Sequence, residues 1–252
     1  DCIDVEAAER LGIQVTNAAD ANSGSVAEFT LGLILSLAKK LPQSRDGLRK
    51  EGWSIRPQIT TFDLEGKTLG VLGMGRIGTA VARKASYGFG MKVLGYRRNL
   101  PGDICADYGI LTSDLDKVIR NSDFLSIHLP YTKDTFHLVS CEKLELMKPD
   151  AYLLNLGRGE VVDQAALREL LLSNRLAGAA LDVFEGEIPD ADDPLLHMDQ
   201  VIATPHIAGL SKQAMERLSY QAALGITEVL EGRKVTYPVN HPEKYASDVS
   251  VA

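Results

Sequence analysis

The feature that most constrains this chain is a hexapeptide, Gly73-Met74-Gly75-Arg76-Ile77-Gly78, set between an apolar run at 68–72 and a stretch of helical spacing at 77–86. G-x-G-x-x-G alone is a weak signal, but strand, glycines and helix in this order form a dinucleotide-type phosphate turn. Gly73 allows the tight turn, Gly75 lets backbone approach a pyrophosphate, and Gly78 permits close packing of helix on strand. The helix N-terminus adds N–H donors and a positive dipole end. Arg76 and Ile77 sit between these glycines.

The rest of the chain repeats the alternation. Apolar runs at 68–72, 91–95, 124–127, 151–154, 177–183 and 201–204 are separated by helix-compatible segments at 77–86, 115–120, 141–147 and 163–172. Continuous apolar runs are what parallel strands buried on both faces require. The fold class is therefore α/β, a Rossmann-type doubly wound parallel sheet. Asp163 and Ser140 are placed to cap helices. Two longer helices are expected at 26–40 and 211–231, the second ending at Gly232. Segment 41–62, with Pro42, Trp53 and Pro57, is poorly patterned and reads as a surface excursion or a subunit-contact arm.

Composition narrows the partners. The 252 residues carry 27 Lys and Arg against 34 Asp and Glu, a net charge of -7, with no concentrated basic stretch, so nucleic acid is not expected. The most apolar stretch, 26–38, is broken by Glu28 and is too short to span a membrane. Three cysteines, Cys2, Cys105 and Cys141, have neither disulfide-framework nor zinc spacing, so no metal is expected and a reducing, cytoplasmic setting fits. The chain opens on Asp1 in what looks like the middle of a fold, so a fragment lacking its N-terminus is expected.

At the end of the second run, where NAD-binding chains place an acid for the ribose hydroxyls, stand Arg97 and Arg98. A guanidinium can form charge-assisted hydrogen bonds to a 2′-phosphate, so NADP is favoured, with NAD possible. Past three later runs come Asn155-Leu156-Gly157-Arg158-Gly159, Asp182-Val183-Phe184-Glu185-Gly186-Glu187 and Thr204-Pro205-His206-Ile207-Ala208-Gly209. The carboxyl edge of an open α/β sheet is where ligands bind. Arg158 there can grip a carboxylate, His206 can move a proton, and Glu187 can support the imidazole.

These segments, with Asp4-Val5-Glu6-Ala7-Ala8, Ser25-Val26-Ala27-Glu28, His128-Leu129-Pro130 and Leu181-Asp182-Val183-Phe184, resemble in order the D-isomer-specific 2-hydroxyacid dehydrogenases across roughly residues 1–240. The resemblance implies a nucleotide-binding lobe inserted into a flavodoxin-like substrate lobe. It places remnants of the substrate lobe at 1–18, the dinucleotide-binding domain at 19–206, a returning C-terminal helix at 207–240 and a tail at 241–252. Arg158, Glu187 and His206 become the catalytic three, and Asp182 the partner of the nicotinamide carboxamide. The cofactor would also meet Arg76, Ile77, His128, Pro130, Leu156, Gly157 and Gly209. The implied activity is hydride transfer between NAD(P)H and a small 2-oxo or 2-hydroxy acid, glyoxylate/hydroxypyruvate reductase-like. The alternatives are a D-3-phosphoglycerate dehydrogenase-like enzyme and a corepressor-like dinucleotide-sensing scaffold. Two positions depart from the pattern: Glu187-Ile188-Pro189 stands where the family usually has Glu-Pro, and Arg97 replaces the common Asp. Members also carry a longer N-terminal part with a loop that holds the substrate carboxylate. A homodimer is expected, with 26–40 and the Trp53 segment near its contact.

Overall fold

The computed structural model describes residues 3–98 and 110–242. Two compact units divide the chain, residues 26–208 and residues 1–25 with 209–252. The larger unit therefore runs from Val26 to Ala208.

The larger unit is built on a parallel sheet of β1 (Thr68–Leu72), β2 (Lys92–Tyr96), β3 (Ile110–Thr112), β4 (Phe124–Ile127), β5 (Tyr152–Asn155), β6 (Gly178–Leu181) and β7 (Val201–Ala203). Their order is β3-β2-β1-β4-β5-β6-β7, every pair parallel. From β1 the chain runs outward through β2 and β3, then returns to pair β4 on the other side of β1. That reversal opens a crevice at the carboxyl ends of β1 and β4.

Six strands match expected runs within a few residues, whereas Ile110–Thr112 was not anticipated. Alternation explains the continuous apolar runs. Leu69, Val71, Val93, Phe124, Leu154 and Ala180 enter one core, while Leu72, Leu125, Ile127, Leu153, Ala179 and Leu181 enter the core on the opposite face.

The helices, in chain order, are α1 (Val5–Arg10), α2 (Ser23–Ala38), α3 (Leu41–Glu51), α4 (Arg76–Phe89), α5 (Leu115–Asn121), α6 (Cys141–Leu144), α7 (Gln164–Leu172), α8 (Pro194–His197) and α9 (Lys212–Leu230). Asp163 caps α7, its carboxylate accepting the Ala166 N–H at 3.0 Å. Ser140 precedes α6 but makes no capping hydrogen bond, contrary to expectation.

The segment expected to be an excursion is helical: α3 is followed by a 3-10 helix at Gly52–Gln58. Lys40, at φ +48°, ends the preceding turn, and Pro42 lies in the first turn of α3, where its missing N–H costs nothing. On α2, Leu33, Ile34, Leu37 and Ala38 are buried in the chain's own core. Trp53 remains 75% exposed.

In the second unit, Ser211 caps α9 by accepting the Ala214 N–H at 3.1 Å, and Gly232 follows the helix at φ +64°. An antiparallel bridge joins Thr16 to Pro238, and Asn240 Oδ1 accepts from the Val15 N–H and Gln14 Nε2. Among the described residues, no helix is long and apolar enough to cross a membrane. Cys141 is exposed and unbonded, while Cys2 and Cys105 lie outside the described residues.

Candidate active site

The glycine turn stands at the crevice. Gly73 leaves β1 at φ +99°, its N–H donating to the Tyr96 carbonyl at the end of β2. A Cβ on it would lie 2.6 Å from the His128 carbonyl oxygen, so the close approach of the two strand ends needs glycine here. Gly75 differs: a Cβ would meet nothing within 4 Å. It is also the N-cap of α4 and has no side-chain capping bond. Open space beside an uncapped helix N-terminus is the cradle a pyrophosphate requires, so the residues present fit a dinucleotide. Gly78 is buried beneath this turn, Ile77 is partly buried and Arg76 is exposed.

At the end of β2, Arg97 and Arg98 are both exposed. Arg98 is already engaged, its guanidinium donating to the Asp134 carboxylate at 2.7 Å. Each partner's charged form is favoured, the Asp134 pKa lowered and the Arg98 pKa raised by this bond.

His128 follows β4. Its Nε2 lies 2.8 Å from the buried Ser126 hydroxyl, and its Nδ1 is buried without a hydrogen-bond partner. Burial disfavours the imidazolium and pushes its pKa down to about 4. The imidazole is therefore neutral near pH 7.

The same burial yields an expected stability profile. Because the unfolded chain protonates this histidine first, near its ordinary 6.5, the stabilisation held above that pH is lost as pH falls toward about 4. The loss amounts to about 3 kcal/mol at 1.36 kcal/mol per pKa unit. Urea midpoints at pH 7.5 and 4.5 should therefore fall more in the wild type than in His128→Gln. Equal falls would contradict the burial argument. Pro130, two residues on, is exposed, and its carbonyl accepts from the Thr135 hydroxyl at 2.7 Å.

After β5 the chain turns through buried Leu156 and Gly157. Asn155, itself buried, ties this turn at both ends: its Oδ1 accepts the Gly157 N–H at 3.1 Å and its Nδ2 donates to the Arg158 carbonyl at 3.0 Å. Arg158, half-buried, donates to the Gly157 carbonyl at 2.9 Å. Asn155 was not among the expected site residues, although Asn shortly before glycine is a turn signal that could have found it.

Beyond β6 and β7 lies a cavity of about 540 Å³ lined by Asp182, Phe184, Glu187, Pro189, Thr204 and His206, among others. It brings Glu187 and His206 together; Arg158 is not part of its lining. Both cavity residues are exposed and held in left-handed backbone, Glu187 at φ +70° and His206 at φ +54°. Non-glycine residues adopt that conformation only where surroundings enforce it.

For His206 the enforcing group is Asp182, 1% exposed. Its Oδ1 accepts from the Thr204 hydroxyl at 2.6 Å and the Ile207 N–H at 2.9 Å, and its Oδ2 accepts the Ala208 N–H at 2.9 Å. Its backbone carbonyl accepts the His206 N–H at 2.9 Å. The residue expected at the nicotinamide carboxamide is thus already committed to the loop that carries His206. Gly209 belongs to the other unit, where a Cβ on it would meet Asn22 Nδ2 at 2.9 Å.

Comparison with known proteins agrees with this geometry. Residues 31–208 match the family model of the D-isomer specific 2-hydroxyacid dehydrogenase, NAD binding domain. The chain is 41% identical over 243 residues to a D-3-phosphoglycerate dehydrogenase of Methanocaldococcus jannaschii, covering 96% of this chain and 46% of that protein. It therefore spans just under half the length of that relative. It is 39% identical over 226 residues to a glyoxylate reductase of Korarchaeum cryptofilum, covering 88% of this chain and 68% of that one. Among solved structures, an NADPH-dependent glyoxylate/hydroxypyruvate reductase from Sinorhizobium meliloti, in complex with NADP and malonate, superposes with a TM-score of 0.85 at 32% identity. That match covers 95% of this chain and 74% of the other. A doubly wound sheet with a glycine turn at its crevice, matched to one family through most of its larger unit, makes this chain a member of the D-isomer-specific 2-hydroxyacid dehydrogenases.

Proposed function

We propose that this chain reduces a small 2-oxo acid to the D-2-hydroxy acid with a nicotinamide dinucleotide, in the manner of a glyoxylate/hydroxypyruvate reductase. The observation that carries this reading is that one cavity past β6 and β7 is lined by both Glu187 and His206. Gly73, Gly75 and Gly78, with His128, Pro130, Leu156 and Gly157, would hold the dinucleotide, which when bound would supply the hydride that reduces the substrate's carbonyl carbon. His206 gives its proton to the carbonyl oxygen, and Arg158 binds and orients the substrate carboxylate through charge-assisted hydrogen bonds. Glu187, whose side chain lines the same cavity, is assigned to orient the imidazole. In the reverse direction neutral His206 takes the hydroxyl proton.

Arg97 supports NADPH as the preferred dinucleotide. It is exposed at the end of β2, where a carboxylate would repel a 2′-phosphate and a guanidinium attracts it. Arg98 is bound to Asp134, which leaves Arg97 as the stronger candidate. A homodimer in a reducing, cytoplasmic setting completes the proposal, supported by exposed Trp53 and unbonded Cys141.

Initial rates over a panel of 2-oxo acids, with NADPH and NADH compared, test the reaction and the cofactor together. Glyoxylate or hydroxypyruvate should turn over, with NADPH favoured. Arg97→Asp should weaken NADPH by about 1.5–3 kcal/mol, the range of a lost charged hydrogen bond, and improve NADH. Equal or tighter NADH binding in the wild type would overturn the preference, and silence across the panel would overturn the reaction.

A further inference from the structure

The turn that carries Glu187 is left-handed at two successive residues, Gly186 at φ +77° and Glu187 at φ +70°. Within the turn, short-range backbone bonds run from the Glu187 N–H to the Phe184 carbonyl at 3.1 Å and from the Ile188 N–H to the Gly186 carbonyl at 2.9 Å. The longer-range hold is applied at Glu185. Its backbone N–H donates to Gln164 Oε1, at the start of α7, at 3.0 Å. Its carboxylate Oε1 lies 2.9 Å from His137 Nε2. An ionised carboxylate only accepts, so the Nε2 proton lies between them whether the imidazole is neutral or charged.

His137 is held just as firmly. It is left-handed at φ +47°, its ring stacks on Phe136 with centroids 4.0 Å apart, and its N–H donates to the Glu160 carbonyl at 2.8 Å. Gly159, the neighbour of Glu160, packs against the other side of the assembly. A Cβ there would lie 2.0 Å from the Phe184 carbonyl carbon and 2.3 Å from the Glu185 nitrogen. One short turn, Gly159–Val161, thus braces both His137 and the backbone that leads into Glu187.

We infer that His137, acting through Glu185, is a positioning residue that fixes the turn bearing Glu187 at the cavity it shares with His206. The inference rests on Glu187 serving as the carboxylate that supports the imidazole, and it adds His137, which lies outside both the glycine turn and the strand-end motifs. Both members of the pair are about one-third exposed, 30% and 37%, so the bond adds little to global stability. Its effect falls on the placement of a strained turn.

The test pairs a kinetic cycle with amide exchange on the full chain. His137→Ala should lower kcat for 2-oxo acid reduction by about three- to tenfold, leaving dinucleotide Kd and substrate KM within about twofold. His137→Gln, which keeps a side-chain N–H donor, should recover most of that loss. In a Glu187→Gln background the His137→Ala loss should shrink to about twofold or less, because a residue acting through Glu187 has little further to remove. Amide exchange at Glu187 and Ile188 should quicken in His137→Ala and return toward wild type in His137→Gln. The same fold-loss in both backgrounds, or unchanged exchange at these two amides, overturns the inference. Should no 2-oxo acid turn over, the proposed reaction fails, and exchange alone decides the clamp: faster supports it, unchanged overturns it.

Discussion

Replacing His206 with alanine is expected to lower reductive turnover by about 10²–10⁴, the usual consequence of removing a general acid, while leaving dinucleotide affinity nearly unchanged. The separation follows from position, since His206 opens onto the cavity past β6 and β7, whereas the glycine turn follows β1. Alanine alone is an ambiguous probe. At φ +54° alanine is less readily accommodated than histidine, so a shifted loop also lowers turnover in that variant. Asparagine tolerates left-handed backbone but cannot transfer the proton. His206→Asn should therefore fall as far as His206→Ala while keeping the wild-type melting temperature. Steady-state rates with saturating 2-oxo acid, alongside a fluorescence titration with NADPH, read both quantities. Turnover near wild type in either variant would remove His206 from proton transfer. A large loss in alanine with activity preserved in asparagine would assign it a backbone role instead.

Different kinds of residue were legible in the sequence to different degrees. Parallel strands buried on both faces must be apolar at successive positions, so six of them stood out as continuous runs. Two kept their expected ends, at 68–72 and 124–127, and four shifted at an end by a residue or more because pairing with neighbours, rather than composition, decides where a ladder stops; β6 ends at Leu181 opposite Ala203 although the expected run continues through Asp182 to Val183. β3 is a three-residue edge strand paired on one side only, too short to establish a pattern. α3 was hidden by polar composition and by Pro42, a residue that signals a break inside a helix and a start in its first turn.

Glu187 and His206 could be found because strand ends in an α/β sheet are places of known use. The bonds that set their conformation could not. His137 and Glu185 are 48 residues apart, and Asp182 and Ala208 are 26 apart. Neither separation is a helical or strand period, so only the folded arrangement of side chains discloses them.

Asp182 is where that difference has the largest measurable consequence. If its carboxylate chiefly met the nicotinamide, Asp182→Ala would weaken the dinucleotide and leave the fold alone. The bonds in place predict otherwise. Alanine would strand the Ile207 and Ala208 N–H groups and the Thr204 hydroxyl, all of which now donate to one buried carboxylate. Donors deprived of a charged partner in a site this enclosed should cost about 3–5 kcal/mol in total. For a chain of this size that corresponds to a fall in Tm on the order of 10 °C. Turnover should collapse with it, because the left-handed turn at His206 loses the group that closes it.

Asparagine gives an intermediate case. It can keep the oxygen that serves Thr204 and Ile207, but its NH₂ then faces the Ala208 N–H, donor against donor. The expected order of both Tm and kcat is Asp, then Asn, then Ala. Calorimetry and initial rates on the three proteins check it. A Tm for Asp182→Ala within about 2 °C of wild type, together with a selective loss of dinucleotide affinity, would return Asp182 to the role of cofactor ligand and leave the conformation of His206 to be explained by other contacts.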